Sequence, residues 1–259
     1  KTIVVSIPAY NEEDSLATVI AEVKKVMDRQ HFTYVLHVVN DGSTDKTEEI
    51  AKKSGAKVFS NKRNRGLAET FKREIEEALR AKADIIVHTD ADGQYHGEYI
   101  PKLIKKIEEG HDLVLGSRFL GGNKHISFLK NLGNKAFAKV ISRLCKQKLT
   151  DTTTGFRAFT KEVAEEITFS NTFTYTQEQI IKAHTLKFNI AEIPITARMT
   201  RDSRLFNNVF EYAIKAWINI FRIYRDYDPI KFFGRIGLLF ISVGAAVGLW
   251  LTYLFITTG

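Results

Sequence analysis

DIIVHTDADGQ, residues 84–94, runs from a short apolar stretch into a pair of aspartates. Ile85, Ile86 and Val87 carry no alternating polar residue, so they read as a strand buried on both faces. Asp90 and Asp92 follow where that strand should end. Two carboxylates without an adjacent counter-charge repel each other, so something positive is expected between them. In extended chain, residues i and i+2 point to the same side, which lets both carboxylates face one divalent ion. Magnesium takes one or two carboxylates, several waters and phosphate oxygens, and Gln94 could add or orient a further oxygen. D-G is also ordinary turn chemistry, so a surface turn is the competing reading.

The pattern around this stretch sets the fold. TIVVSIP (2–8), YVLHVV (34–39), KVFS (57–60), DIIVHT (84–89) and DLVLGS (112–117) are predicted strands. Helical patterns at 14–29, 45–54, 67–81 and 97–109 alternate with them. Asp14 or Ser15 is placed to cap the first helix and Asp45 the second. Alternation of this kind predicts an α/β domain with a mainly parallel, Rossmann-like sheet covered by helices. Ligands on such sheets bind beyond the carboxyl ends of the strands. Loops 8–14, 40–45, 61–66 and 90–94 should gather there. Neither GxGxxG after the first strand nor GxxxxGK[ST] is found, which disfavours a dinucleotide site and removes a P-loop. Asp41 could accept hydrogen bonds from a nucleobase and Tyr10 could pack on one. Capping and turn formation are the plainer account of Ser43 and Asp45.

Beyond Ser117 the character changes. Residues 120–131 are Gly-rich and basic and read as loop, and 132–146 as helix. DTTTGFRAFT (151–160) and FNIAEIPITA (188–197) read as extended, with a helix near 175–186 between them. RMTRDSR (198–204) is a basic loop. From 205 to 224, Phe206, Phe210, Ala213, Trp217, Phe221 and Tyr224 recur at helical spacing beside Lys215, Arg222 and Arg225. That stripe is predicted to lie in a membrane interface, with ordinary core packing as the alternative. IGLLFISVGAAVGLWLTYLFI (236–256) follows with no charge after Arg235. It is predicted to span a bilayer; a buried core helix is the alternative. The predicted organisation is a catalytic domain at 1–204, an interface region at 205–232 and a membrane helix at 233–259, the first of several if the chain continues. Lys231 and Arg235 flank the span, so the positive-inside rule puts the preceding domain on the cytoplasmic face. The chain begins on a strand-like run, so no signal peptide is expected.

The 259 residues carry a net charge of +8. That surplus suits phosphorylated substrates or anionic lipid. No zinc-finger spacing and no basic region with heptads is present, so nucleic acid is not an expected partner. The single cysteine, Cys145, excludes an internal disulfide framework and reads as a buried structural thiol. Association of copies through membrane helices stays open.

PAYNEE, NDGSTD, RNRGLA, DADGQ, GSRF and DTTTGFRAF, in this order and spacing, resemble the inverting, GT-A-fold glycosyltransferases of family 2. Within that family they look most like the polyprenyl-phosphate (dolichyl-phosphate) mannose and glucose synthases, over roughly residues 2–205. The resemblance implies that Pro8, Ala9, Tyr10, Glu12 and Asp41 line a nucleotide pocket, with Gly66 and Leu67 at its side. It implies that Asp90, Asp92 and Gln94 hold Mg2+ or Mn2+ on a nucleotide-sugar diphosphate. Ser117 and Arg118 would face the acceptor phosphate. A second basic residue is expected there, and Lys130 is the nearest match where arginine is usual. Arg198 and the RDSR segment match a basic loop over the diphosphate. Arg201 stands where the family often has glycine, which leaves open which arginine meets phosphate. Solvated surface charge is the plain alternative for each arginine.

The implied reaction moves a sugar, with inversion, from a nucleotide-sugar to polyprenyl phosphate at a membrane surface. UDP-glucose and UDP-N-acetylglucosamine are favoured by resemblance over GDP-mannose. Glu178 keeps a second reading open. It could be a general base for a saccharide or lipid-linked sugar hydroxyl, or hold Arg157 or the sugar, or be a helix-surface carboxylate. The Q-x-x-R-W signature of processive synthases is not found. A non-catalytic, membrane-anchored sugar-nucleotide-binding protein is a third reading, and the intact D-x-D pair counts against it.

Overall fold

β1 (Thr2–Ala9) is a continuous apolar run with Ser6 as its one interior polar residue, and it takes a central place in the sheet. The computed structural model describes residues 1–122, 128–169, 175–199, 218, 221–222, 225–226 and 229–258, and at 128–132 and 231 the backbone only. Contacts divide the chain into two units, Lys1–Leu205 and Phe206–Gly259.

In the first unit β2 (Thr33–Asn40), β3 (Lys57–Ser60), β4 (Ile85–His88), β5 (Leu113–Ser117), β6 (Arg157–Thr160) and β7 (Ile190–Pro194) join β1. Among the described residues the sheet has seven strands in the order β3-β2-β1-β4-β6-β5-β7. β6 alone runs antiparallel, paired with β4 on one side and β5 on the other. The connections are α1 (Leu16–Met27), α2 (Thr47–Lys53), α3 (Leu67–Arg80), α4 (Ile100–Glu108), α5 (Phe128–Leu144), α6 (Lys161–Glu166) and α7 (Thr176–Thr185). The expected α/β architecture is therefore present, with parallel strands and helical crossovers.

The two faces of the sheet differ. Ile3, Val5 and Ile7 of β1, Leu36 and Val38 of β2 and Ile85 and Val87 of β4 pack with α1 and α4 in one apolar cluster. α1 supplies Leu16, Val19, Ile20, Val23 and Met27, a stripe at helical spacing. The opposite face carries a polar row. Register aligns Lys57, His37, Ser6, His88, Arg157, Leu115 and Glu192 strand by strand across the sheet. α3 covers this face and buries Phe71, Glu74, Ile75 and Ala78.

Three local expectations are corrected. Residues 120–131 are not all loop, because α5 starts at Phe128; the helix-breaking glycines, Gly121 and Gly122, lie well before it. Of the extended stretch 151–160 only Arg157–Thr160 is strand. Helix α6 follows it at once; Thr160 Oγ1 accepts from the Val163 amide as its N-cap. Ser15 stands at the N-cap of α1 without capping, since its hydroxyl donates to Glu12 Oε2 at 3.0 Å.

In the second unit α8 (Pro229–Thr258) includes 27 residues, Phe232–Thr258, of mean hydropathy 2.1. At about 1.5 Å per residue this exceeds a hydrocarbon core of about 30 Å. It is the one helix among the described residues long and apolar enough to cross a membrane. Ser242, Thr252 and Thr257 donate to the carbonyls of Leu238, Gly248 and Tyr253, so their hydroxyls are satisfied within the helix. Of the expected interface stripe, Phe206, Phe210, Ala213, Trp217 and Tyr224 lie outside the described residues.

Candidate active site

Parallel register brings the carboxyl ends of β1, β2, β4 and β5 to one edge of the sheet. The antiparallel β6 brings its amino end, Arg157, to the same edge beside His88. The loops there are laced together. Asn11 Oδ1 accepts from the Thr44 amide at 2.8 Å, the Asn11 amide donates to Ser43 Oγ, and the Glu12 amide donates to Thr47 Oγ1 at 2.8 Å. Gly42 has φ of +71°, and a Cβ there would lie 2.5 Å from the Arg63 backbone. Only glycine lets loop 40–45 pack so closely on loop 61–66.

The residues expected to meet a nucleotide divide into two kinds. Tyr10 is 40% exposed at the end of β1, while Pro8 and Ala9 are buried in the strand. Glu12 is half-buried and accepts from Ser15. Asp41 is 4% exposed and already occupied: Oδ1 accepts from Asn61 Nδ2 (2.7 Å) and the Arg65 amide (2.9 Å), and Oδ2 from the Gly66 amide (2.9 Å). The sequence reading did not foresee these partners, although it allowed Asp41 to accept from a nucleobase. A carboxylate has about four acceptor positions, and three are spent on the loop that carries Gly66 and leads to Leu67. Arg73 of α3 braces the same loop through Asn61 Oδ1 and the Ser60 carbonyl. A groove of about 650 Å³ runs along this loop and α3, where the exposed side chains of Lys62, Arg63 and Arg65 make one rim cationic.

Asp90 and Asp92 stand on a turn, not on extended chain, because the strand stops at His88. The Gln94 amide donates to Asp92 Oδ1 at 2.9 Å, which holds the Asp92 side chain on the turn. Asp90 is 33% exposed and lies against Gly155, where a Cβ would sit 2.9 Å from both carboxylate oxygens. Among the described residues no group of three His, Cys, Asp or Glu side chains is placed to hold a metal. Two partly open carboxylates fit a hard cation that keeps positions for water and phosphate.

Arg118 lies beside this turn. Its Nε donates to Asp151 Oδ2 (2.7 Å), and its Nη2 to Asp151 Oδ1 (3.0 Å) and Thr153 Oγ1 (2.9 Å). Burial works against its charge, but Tyr95, Asp151 and Asp90 raise its pKa further. Asp151 is positioned by Glu192, which accepts from the amides of Thr150 and Asp151 at 2.9 Å. Burial raises the pKa of Glu192, although these amides oppose it. Ser117 departs from expectation: it is fully buried and its Oγ is taken by Thr150 Oγ1 (2.6 Å) and the Leu120 amide. It fixes the start of the loop and does not face outward.

Glu178 is not a surface carboxylate. It is 5% exposed in the first turn of α7, with Lys182 Nζ 2.8 Å from Oε1. Arg157, which Glu178 was a candidate to hold, is bound by the carbonyls of Thr176 and Thr154 and by Gln179 Oε1. Arg198 is also committed: its fork grips Glu22 at 2.8 and 3.0 Å and Nη1 reaches the Gly93 carbonyl at 3.3 Å. It braces the aspartate turn from α1. Arg201 and the rest of the RDSR segment lie outside the described residues, as does the side chain of Lys130 in α5.

Sequence reasoning missed the layer beneath the turn. His88 Nδ1 lies 2.9 Å from Glu74 Oε2, and Nε2 lies 2.7 Å from the Tyr175 hydroxyl and 3.5 Å from Asp90 Oδ1. Burial alone would lower the pKa of His88, but Glu74 and Asp90 raise it to about 9. Its signal was present: a histidine ends an apolar strand, and Glu74 interrupts the apolar stripe Phe71, Ile75 and Ala78 of α3.

Comparison with known proteins adds three findings. The sequence profile described as "Glycosyl transferase family 2" matches residues 4–168. The chain is 35% identical to a dolichyl-phosphate hexose transferase of Haloferax volcanii, over 73% of this chain and 79% of that protein. It is 32% identical to a dolichol-phosphate mannosyltransferase of Pyrococcus furiosus, over 95% of this chain and 71% of that one. A crystal structure of glucosyl-3-phosphoglycerate synthase from Mycobacterium tuberculosis, in complex with Mn2+, UDP and phosphoglyceric acid, superposes with a TM-score of 0.68. It is 22% identical and the match covers 85% of this chain and 78% of that chain, a likeness of fold.

Proposed function

The chain belongs to glycosyltransferase family 2, and from that premise we propose that it transfers one hexose from a nucleotide-sugar to the phosphate of a membrane polyprenol. The relatives named for dolichyl phosphate and the apolar helix α8 support this acceptor. The observation that carries it is the closure of Glu178. It is buried against Lys182, so the carboxylate that a hydroxyl acceptor would need as base is engaged elsewhere. A lipid phosphate is ionised at neutral pH and needs no such base.

Tyr10, Glu12 and the loop pinned by Asp41, with Gly66 and Leu67, would form the nucleotide side. Asp90, Asp92 and Gln94 would hold Mg2+ or Mn2+, which when bound neutralises charge developing on the leaving diphosphate. Arg198 holds the aspartate turn through Gly93 and Glu22, and the RDSR segment, with Arg201, would meet the diphosphate. Arg118, its fork oriented by Asp151, presents Nη1 to the acceptor phosphate, with Lys130 as second cation. Attack from the face opposite the diphosphate inverts the anomeric carbon. UDP-glucose or UDP-N-acetylglucosamine is the favoured donor, ahead of GDP-mannose. The domain at 1–204 works at the cytoplasmic face, tethered through 205–232 by the helix at 233–259.

The test is direct. The full chain in detergent is incubated with MgCl2, dolichyl or undecaprenyl phosphate, and radiolabelled UDP-glucose, UDP-N-acetylglucosamine or GDP-mannose. Label should enter the organic phase from one donor, and Asp92→Asn should cut that rate on the order of 10²–10³-fold. Transfer only to added saccharides, with loss in Glu178→Gln, would replace this reading by the hydroxyl-acceptor one.

A further inference from the structure

Glu74, His88 and Tyr175 have no part in the chemistry above, yet they are 1%, 0% and 1% exposed and bonded in series. His88 closes β4, two residues before Asp90. Both ring nitrogens are engaged, Nδ1 by Glu74 and Nε2 by Tyr175, with Asp90 Oδ1 at 3.5 Å from Nε2. The ring cannot turn. Phe71 meets it edge-on at 5.2 Å and itself stacks on Tyr175 at 3.7 Å and 15°. Only one member of this set reaches open surface, the Asp90 carboxylate. Gly155 closes on that carboxylate from another side.

We infer that Glu74, His88 and Tyr175 are positioning residues that set the orientation of the Asp90 carboxylate for a divalent ion. The inference rests on the proposed role of Asp90 and Asp92. Its physical ground is that a single carboxylate on a turn has a free χ2, and a turn alone fixes only the backbone. With Nε2 of the fixed ring 3.5 Å from Oδ1 and Gly155 close against both oxygens, that rotation is restricted before the ion arrives. Groups behind metal ligands are worth about 10- to 100-fold in metal affinity. Glu74 acts through the ring by holding Nδ1, and Tyr175 fixes the ring from the side of α7. The same histidine thereby links the aspartate turn to the helix that carries Glu178.

The test is Mn2+ affinity, read by electron paramagnetic resonance of free Mn2+ in titrations of the full chain in detergent. UDP and GDP are the nucleotide probes, in separate series. Thermal unfolding without metal is recorded alongside. His88→Gln should weaken Mn2+ binding by about 10- to 100-fold. Glu74→Gln and Tyr175→Phe should weaken it less, in that order. His37→Phe, at the other buried histidine of the row, should leave it unchanged whatever it does to stability. Folded His88→Gln and Glu74→Gln proteins with wild-type Mn2+ affinity would overturn the inference, as would an equal loss in His37→Phe. Should His88→Gln fail to fold, Glu74→Gln and Tyr175→Phe decide by the same criterion. No Mn2+ binding by the wild type with either nucleotide would overturn the metal reading and this inference together. Wild-type binding with unaffected variants would overturn this inference alone.

Discussion

His37 and His88 occupy the same row of the sheet, one strand to either side of Ser6, and neither has accessible surface. Their chemistry is opposite. His37 has no hydrogen-bond partner on either nitrogen; it meets Phe59 edge-on at 4.9 Å. Burial, and then the charge of Lys57, lower its pKa to about 4. His88, equally buried, is raised to about 9 because α3 lowers Glu74 onto it and the chain leaving the strand brings Asp90 beside it. The sheet gives both residues the same geometry. What decides their charge is the helix packed over them, and only the histidine next to the aspartate turn receives a counter-ion.

The largest test of that contrast removes the counter-ion. Glu74→Leu leaves His88 Nδ1 unpaired, with only Tyr175 and Asp90 on its other side, and should cost about 3–5 kcal/mol in urea unfolding, as breaking buried pairs does. If the loss is below 1 kcal/mol (roughly that of an exposed pair), the two histidines differ less than their contacts imply.

Acidity separates them next. For His88 the folded value is raised from 6.5 to about 9, so its contribution is complete below pH 6.5 and is lost as pH rises through about 9. For His37 the folded value is lowered from 6.5 to about 4, so its contribution is complete above pH 6.5 and is lost as pH falls through about 4. Each limb is on the order of 3 kcal/mol. Urea midpoints of metal-free protein across this range should fall on both sides. His88→Gln should flatten the alkaline limb and His37→Phe the acid one. One limb vanishing in both variants would break the comparison.

The smallest effect is at neutral pH. His37→Phe replaces two unpaired buried nitrogens by carbon and should raise stability by about 1 kcal/mol. A thermal midpoint lower than wild type would mean that the ring nitrogens of His37 are satisfied in solution.

The same contrast explains what the sequence disclosed. Asp90 and Asp92 stood out because an acidic pair after an uninterrupted apolar run has few uses. The strands were legible because central parallel strands are buried on both faces. Ser117, Asp41 and Arg198 were placed correctly along the chain, but their partners could not be foreseen. Thr150, Asn61 and Glu22 come from distant segments, and a carboxylate or hydroxyl that looks free in sequence is spent once those segments meet. His88 and Glu74 were overlooked for the converse reason. Each sits where periodicity asks for an apolar side chain, and only a view of both elements shows that one satisfies the other.

The single antiparallel strand has a consequence for how the chain assembles. β6 enters between β4 and β5 only after the 39 intervening residues from Arg118 to Phe156 have been made and folded back. Closing that loop costs entropy before any pairing returns it, so this step is among the slow ones. Until it is complete, Asp151 cannot reach Arg118 and Gly155 cannot close on Asp90. A chain emerging from the ribosome thus has loops 8–14, 40–45 and 61–66 made early. It closes on the Asp90 carboxylate only when the last central strand is inserted.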